Sequence, residues 1–295
     1  MTRARRPWAD PEARRRRRPL VAAGIALAAL CGVLLLVPGT SGAYVAKVAG
    51  EVNSASSASF FSCAAVQAGE RDGALFSWSL TQPSGSTTAP DTDTGAYPGT
   101  YRNGMTSVTT TPQACPRDAG GSYALADNAL FPSYVTSPLQ QSNPTTFSLE
   151  LWFRTTVRGG RLIGFGDSPA GMSMLFDRHL YITTTGRLAF GIVGPGGQQV
   201  IQSPGPVADG AWHHAVVTVS PSTGSALHLD GVQVAANAQA RATQATTGYW
   251  RLGWDNLATW SGSGQYHFVG SMRFAAVYSV VLTPEQVRAH RVAGM

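Results

Sequence analysis

Hydrophobic and polar positions alternate most sharply in Phe147–Arg154, FSLELWFR, where Phe147, Leu149, Leu151 and Phe153 fall against Ser148, Glu150, Trp152 and Arg154. Successive side chains of a strand point to opposite faces, so this pattern predicts a strand with one face in a core. The same period runs through Trp212–Val219, placing Trp212, His214, Val216 and Thr218 on one face and His213, Ala215, Val217 and Val219 on the other. Polar Ser220–Ser225, with Pro221 and Gly224, breaks the run. Ala226–Leu229 forms the next strand, and Asp230-Gly231 ahead of Val232 and Val234 is a two-residue hairpin signal, because both residues tolerate the positive φ of a type I′ turn. The stretch Asp209–Ala235 therefore predicts three consecutive antiparallel strands opening on the turn Asp209-Gly210.

Further strands are expected at Ala74–Leu80, at Tyr123–Leu125 paired with Tyr134–Thr136, and at Arg161–Gly166, Ser173–Phe176, Leu180–Thr184 and Arg187–Val193. Gly248–Trp254 and Gly270–Tyr278 complete them, and Gln82–Gly104, rich in Pro, Gly, Ser, Thr and Asp, is loop. Thr283-Pro284-Glu285-Gln286 is a helix start, with Thr as N-cap, Pro in the first helical position and Gln closing a capping box, so a helix over Pro284–Arg291 is expected. Residues 72–293 thus read as one all-β domain with a short C-terminal helix and little other helix, the strongest patterns lying between 145 and 290.

The N-terminal region has a different pattern. Leu20–Val37 is eighteen residues of apolar or small character, preceded by Arg3, Arg5, Arg6 and Arg14–Arg18 and followed by Ser41-Gly42-Ala43. A basic region, an apolar stretch and a small-x-small site make residues 1–43 a secretory signal cleaved after Ala43. Retention as a signal-anchor is the alternative: eighteen helical residues reach about 27 Å, just short of a ~30 Å hydrocarbon core. Either outcome exports the bulk of the chain to the cell surface or beyond. Residues 44–71 read as a short strand followed by a Ser/Ala-rich spacer. The start AYVAKV resembles the mature end of exported proteins whose signal is cut by an archaeal/ER-type (SipW-like) peptidase, a group that includes fibre-forming surface proteins.

The arrangement Asp209, Gly210, Trp212, His213, His214, then Leu227, Leu229, Asp230, Gly231 and Val234 resembles the signature of LamG-like jellyroll domains, of the concanavalin A-like lectin/glucanase group. Phe147–Phe153, the Val277-Tyr278 strand and the helix start at Thr283 extend the likeness over Ala74 to about Ala293. The resemblance implies a two-sheet antiparallel sandwich of twelve to fourteen strands. It implies no particular activity, since one fold hosts many functions.

Charge follows the same division. The chain is +6 at pH 7, and the first 42 residues, with eight arginines against Asp10 and Glu12, account for all of it. The exported portion is neutral, and an arginine run placed directly before an apolar segment is topogenic, so nucleic acid is not an expected partner. Of three cysteines, Cys31 lies in the apolar stretch. Cys63 and Cys115 remain as a pair in an oxidising compartment and are expected to form a disulfide. In the chain-entropy model that bridge contributes roughly 4 kcal/mol.

The glucanases related to this fold carry three carboxylates along one strand as Glu-x-Asp-x-x-Glu; here Glu150 is followed on its face only by Trp152 and Arg154. Retaining hydrolysis needs carboxyl groups ~5 Å apart, and no spacing of Glu51, Glu70, Glu150 and Glu285 suggests such a pair. No Gly-x-Ser-x-Gly elbow is present. His213 and His214 point to opposite faces and cannot share a metal; Trp152 and Trp212 read as core or rim aromatics. No cofactor is required by these residues; calcium, which takes hard oxygen ligands, has candidates in Asp177, Asp255 and Asn256. Trp254, Asp255, Asn256, Trp260 and Tyr266 are the candidate ligand-contacting edge, Trp260 lying at a loop tip. The expected function is an exported, non-catalytic binding module for carbohydrate or a surface protein. A structural surface or fibre-associated subunit is the alternative, and a glycoside hydrolase the third reading.

Overall fold

The computed structural model describes residues 62–295 except 71, 72 and 110, together with two short antiparallel strands, Ala49–Gly50 and Asn53–Ser54. The segments expected to direct export, at 1–43, lie outside the described residues. Among the described residues no helix is long and apolar enough to cross a membrane. The chain divides into Met1–Ser57, which holds the short strand pair, and Ala58–Met295, which holds everything that follows.

Helix α1 (Cys63–Gly69) precedes β1 (Ala74–Trp78), β2 (Thr88–Ala89), β3 (Gly99–Arg102), β4 (Thr106–Val108), β5 (Ser122–Leu125) and β6 (Tyr134–Ser142). Next come β7 (Phe147–Arg154), β8 (Arg161–Gly166), β9 (Phe176–Ile182), β10 (Arg187–Gly194) and β11 (Gly197–Pro206). β12 (Trp212–Ser220), β13 (Gly224–Leu229), β14 (Val232–Asn237), β15 (Thr247–Leu252), β16 (Gly270–Tyr278) and helix α2 (Pro284–Ala293) follow. The first sheet has the order β14-β13-β12-β7-β16-β5-β4, with β1 also paired to β16; the second runs β11-β10-β9-β8-β15-β6-β3-β2. Each sheet holds eight strands. The sandwich is therefore all-β and antiparallel, as expected, with two or more strands beyond the number the resemblance implied.

Alternation places the core where the sequence put it. Phe147, Leu149, Leu151 and Phe153 of β7 join Ala215, Val217 and Val219 of β12 in one buried cluster, facing Ile163, Phe165, Leu180, Phe190 and Trp250 of the second sheet. The opposite face of the first sheet is buried too. Val216, Ala276 and Tyr278 pack beneath Leu282 and Val287 at the start of α2. Helix α2 has the expected capping box: the Thr283 hydroxyl accepts from the Gln286 N–H, and the Gln286 side chain accepts from the Thr283 N–H at 2.7 Å. The β13–β14 hairpin turns at Asp230 (φ 53°) and Gly231 (φ 83°), the backbone a type I′ turn requires.

Several expectations about elements change, and Gln82–Gly104, expected as loop, also holds β2 and β3. Tyr123–Leu125 and Tyr134–Thr136 do not pair with each other, since β5 and β6 lie in different sheets. β6 runs on to Ser142 through Pro138, which sits where pairing with β15 slips between Tyr249 and Arg251; a bulge spares Pro a ladder bond. Ser173 is not in a strand but is tied to Asp255, and β9 starts only at Phe176. β15 ends at Leu252 because Gly253 turns the chain at φ 90°, so Trp250 is core while Trp254 leaves the strand. Helix α1, within the expected spacer, is capped by Ser62, whose hydroxyl accepts from the Ala65 N–H at 3.2 Å, and is joined to the sandwich by the Cys63–Cys115 disulfide.

Candidate ligand-binding cleft

Most residues named from the sequence lie on the outer side of the second sheet, and most are interior. Asp255 is fully buried. Its Oδ2 pairs with Arg161 Nη1 at 2.8 Å and Arg251 Nη1 at 3.2 Å, and its Oδ1 accepts the N–H groups of Ser173 and Asn256, both at 2.8 Å. Burial pushes this carboxyl up, but the two guanidinium groups outweigh it and hold it below the usual range. Asp177 accepts the N–H groups of Arg178 and Val193 on Oδ1 and of Gln244 on Oδ2, beside the Arg178 guanidinium at 3.3 Å. Here burial dominates and raises the carboxyl. Both carboxylates are already surrounded by donors, and Asn256 is buried with its amide on the Ser173 carbonyl. Asp177, Asp255 and Asn256, the residues expected to offer oxygens to calcium, are members of a buried arginine–carboxylate network. Among the described residues, the one group of three His, Cys, Asp or Glu ligand atoms that all lie within 4.8 Å of one another is Cys63, Cys115 and Asp118, and both sulfurs are spent in the disulfide.

Trp260 is corrected: it is 3% exposed and packs with Tyr181, Ala189 and Leu257. Its ring lies edge-on to His179 at 4.7 Å. Gly191 makes the space, since a Cβ there would stand 2.4 Å from the ring. Trp254 remains half-exposed, tilted on Tyr134 at 5.2 Å with the Arg251 guanidinium 5.2 Å from its own ring. Tyr266 is half-buried beside the Trp260 cluster, so the five residues divide between separate environments.

On the outer side of the first sheet, Glu150 sits sealed under α2. It receives Tyr278 Oη at 2.6 Å, His214 Nε2 at 2.9 Å and His290 Nδ1 at 2.9 Å. Burial alone would raise its carboxyl, but His290 and His214 hold it far below the usual range. His290, pushed down by burial, is pulled up to about 9 by Glu150 and Glu70. Glu70 approaches the other side of that ring, 3.8 Å from Nε2. The two glutamates flank one imidazole that is inaccessible to solvent, a geometry that locks elements together and offers nothing to a sugar.

A sizeable opening lies elsewhere. A cleft of about 760 Å³ lies on the outer side of the first sheet, where β7 ends and β12 begins beside the tail of α2. Trp212 and Arg154 are register partners across these strands, so their side chains stand next to each other on one face. The Arg154 Nε donates to the Gly210 carbonyl at 2.5 Å. The indole N–H of Trp212 is shielded and unpartnered, so this side chain presents ring surface rather than a donor. Trp152 lies deeper, under the Arg291 guanidinium at 4.9 Å, and a Cβ at Gly294 would stand 2.0 Å from its ring.

The facing wall is the segment 111–120. The disulfide ties it to α1, the Cys115 N–H donates to the Gly294 carbonyl at 2.9 Å, and the Asp118 carboxylate accepts the Cys63 N–H at 2.8 Å. Buried Arg273 donates to the carbonyls of Cys115 and Asp118, both at 2.7 Å. On the opposite face of β12, beside Phe153, His213 bridges Asp230 at 2.8 Å and Asp209 at 3.2 Å, which raises it against the effect of burial. His213 and His214 thus bond to different carboxylates, as opposite faces require. Aromatic surface with guanidinium donors, walled by a stapled loop, is built to bind; no pair of carboxylates faces across it. Sequence reasoning named Trp152 and Trp212 as core or rim aromatics and passed over Arg154, Arg291 and the 111–120 wall, because their meeting depends on register and on a disulfide.

A search of curated protein sequences finds no match. Among solved structures, the fold is similar to a botulinum neurotoxin type C structure concerned with interaction with two ganglioside molecules (TM-score 0.55, 11% identity, covering 78% of this chain and 53% of that one). It is also similar to the binding domain of botulinum neurotoxin DC in complex with rat synaptotagmin II (0.53, 11%, 75% and 52%). A third likeness is domain 4 of AbnA, an extracellular GH43 arabinanase from Geobacillus stearothermophilus, in complex with arabinotriose (0.50, 18%, 74% and 98%). The chain spans about half the length of the neurotoxin binding domains it resembles. At such identities the likeness is one of fold. Residues 132–288, just over half of the chain, match a family of LamG-type domains, and the chain belongs to the concanavalin A-like lectin/glucanases superfamily.

Proposed function

We propose that this protein is a non-catalytic binding module that recognises a glycan in the Trp212–Arg154 cleft. The observation that carries this is the pairing of an accessible aromatic with a guanidinium in the sizeable cleft on the first sheet. A pyranose stacks its apolar face on such a ring while charged or polar neighbours take its oxygens. Neighbours of the fold bound to arabinotriose or concerned with gangliosides lend support by analogy. The signal segment at 1–43 supports display outside the cell, cleaved or retained as an anchor over 20–37. Glycan-array binding by the full chain tests the reading: a bound glycan whose affinity falls at least about tenfold in Trp212→Ala, with the fold retained by circular dichroism, is expected. Binding indifferent to Trp212 would remove the cleft from the account.

Recognition of a protein is the second reading, favoured by a specific surface. Leu130 (84% exposed), Phe131 (67%) and Met174 (81%) project from the 128–133 and 167–175 loops, and the Gly171 N–H of the second donates to Tyr134 Oη, at the start of β6, at 3.4 Å. Exposed apolar groups concentrated on loop tips mark contact surfaces more often than scattered ones do.

A further inference from the structure

We propose that the cleft selects a carboxylate-bearing sugar, with Arg154 as the group that reads the carboxylate; this rests on the glycan reading above and narrows it. Charge accounting around the cleft carries the inference. Asp118 lines it, Asp209 and Asp230 lie next to residues that do, and each is already matched. Asp118 is spent on the amides of Cys63 and Ala64 and is opposed by Arg273. Asp209 and Asp230 bracket His213, and Asp230 also lies 3.5 Å from Arg291 Nε. Arg154 is different. Among the described residues it has no carboxylate within ion-pair distance, and the one hydrogen bond of its side chain runs from Nε to the Gly210 carbonyl.

That single bond fixes the plane of the guanidinium and leaves both terminal nitrogens for a ligand. A guanidinium fork with its two terminal N–H groups open matches a carboxylate in bidentate geometry, and such pairs are about twice as strong as neutral hydrogen bonds. The neighbour sets the rest of the ligand. Trp212, directly across the strand pair, supplies ring surface beside the fork. A sugar stacked on Trp212 with a carboxyl group on its ring carbon brings that carboxyl to Arg154. Arg291, lying over Trp152 on the other side of the cleft, adds positive potential without competing for the same position. A hexuronic acid satisfies both demands, whereas a neutral hexose of the same ring leaves the Arg154 fork unanswered.

The test is calorimetric titration of the full chain with trigalacturonate and, separately, with neutral galactotriose, at low and at physiological salt. Trigalacturonate is expected to bind at least about tenfold more tightly, with an affinity that falls as salt rises. Arg154→Gln should abolish that preference while leaving the weaker binding of galactotriose in place, and Arg154→Lys should recover only part of it. A thermal midpoint recorded for each variant separates loss of the fork from loss of the Gly210 contact. Equal affinity for the two sugars, both lost in Trp212→Ala, would overturn charge selection while leaving the glycan site standing. Binding of neither sugar would overturn the selection of an acidic sugar, and an array empty of glycans would bring down the wider reading with it.

Discussion

Trp260 shows how one small residue decides the fate of a large one. Its ring closes over Gly191, where a Cβ would stand 2.4 Å away, so a side chain at a loop turn becomes interior. Trp260→Ala is therefore expected to cost about 3–5 kcal/mol, the range for emptying a buried aromatic site, measured by chemical denaturation. An unchanged midpoint would put Trp260 back on the surface. Leu149 and Leu227, fully buried in the core, should each cost about 2–5 kcal/mol on truncation to alanine. These leucines were legible from alternation alone. Trp260 was not, because nothing local to it announces the glycine opposite.

At the scale of elements, the protein turns on how α1 and α2 are fastened to the first sheet. His290 of α2 is held between Glu150 and Glu70, and its imidazole is raised from 6.5 to about 9. A group whose folded pKa is raised contributes in full below its unfolded value and loses that contribution as pH climbs through the folded one. Thermal stability should therefore decline between roughly pH 6.5 and 9 through this contact. In His290→Gln that decline should be blunted; an equally steep decline in the variant would assign it to other groups. The disulfide fastens the other helix and, with it, the wall of the cleft. Cys63→Ser with Cys115→Ser should lower stability by up to roughly 4 kcal/mol in the chain-entropy model and weaken binding in the cleft more than a surface substitution does. Binding that survives with wild-type affinity would show that the 111–120 wall stands without its staple. The sequence announced the α2 cap through Thr283-Pro284-Glu285-Gln286 and the bridge through its two exported cysteines. It did not announce α1, whose Ser/Ala/Gly-rich run carries no apolar period.

Across the whole molecule, the two-sheet sandwich was readable because strand alternation and the Asp-Gly hairpin turn act locally. The binding surface was not, for three physical reasons. Gly253 ends β15 two residues short of the expected strand, so Trp250 is core while Trp254 lies outside the strand. Asp177 and Asp255, attractive as oxygen ligands in a list of residues, fold against arginines 161, 178 and 251. Arg154 and Trp212 become neighbours only once β7 and β12 pair in a particular register, which one residue of slip would undo. Sites built from such long-range pairings escape any reading confined to spacing along the chain.

The most direct test of the cleft is hydrogen–deuterium exchange of the full chain with and without a glycan found to bind it. Ligand-dependent protection is expected in residues 111–120 and across Gly210–Trp212, with little change in residues 249–266 on the second sheet. Protection confined to residues 249–266, with the 111–120 wall and Trp212 unaffected, would contradict the account and move recognition to the opposite side of the sandwich.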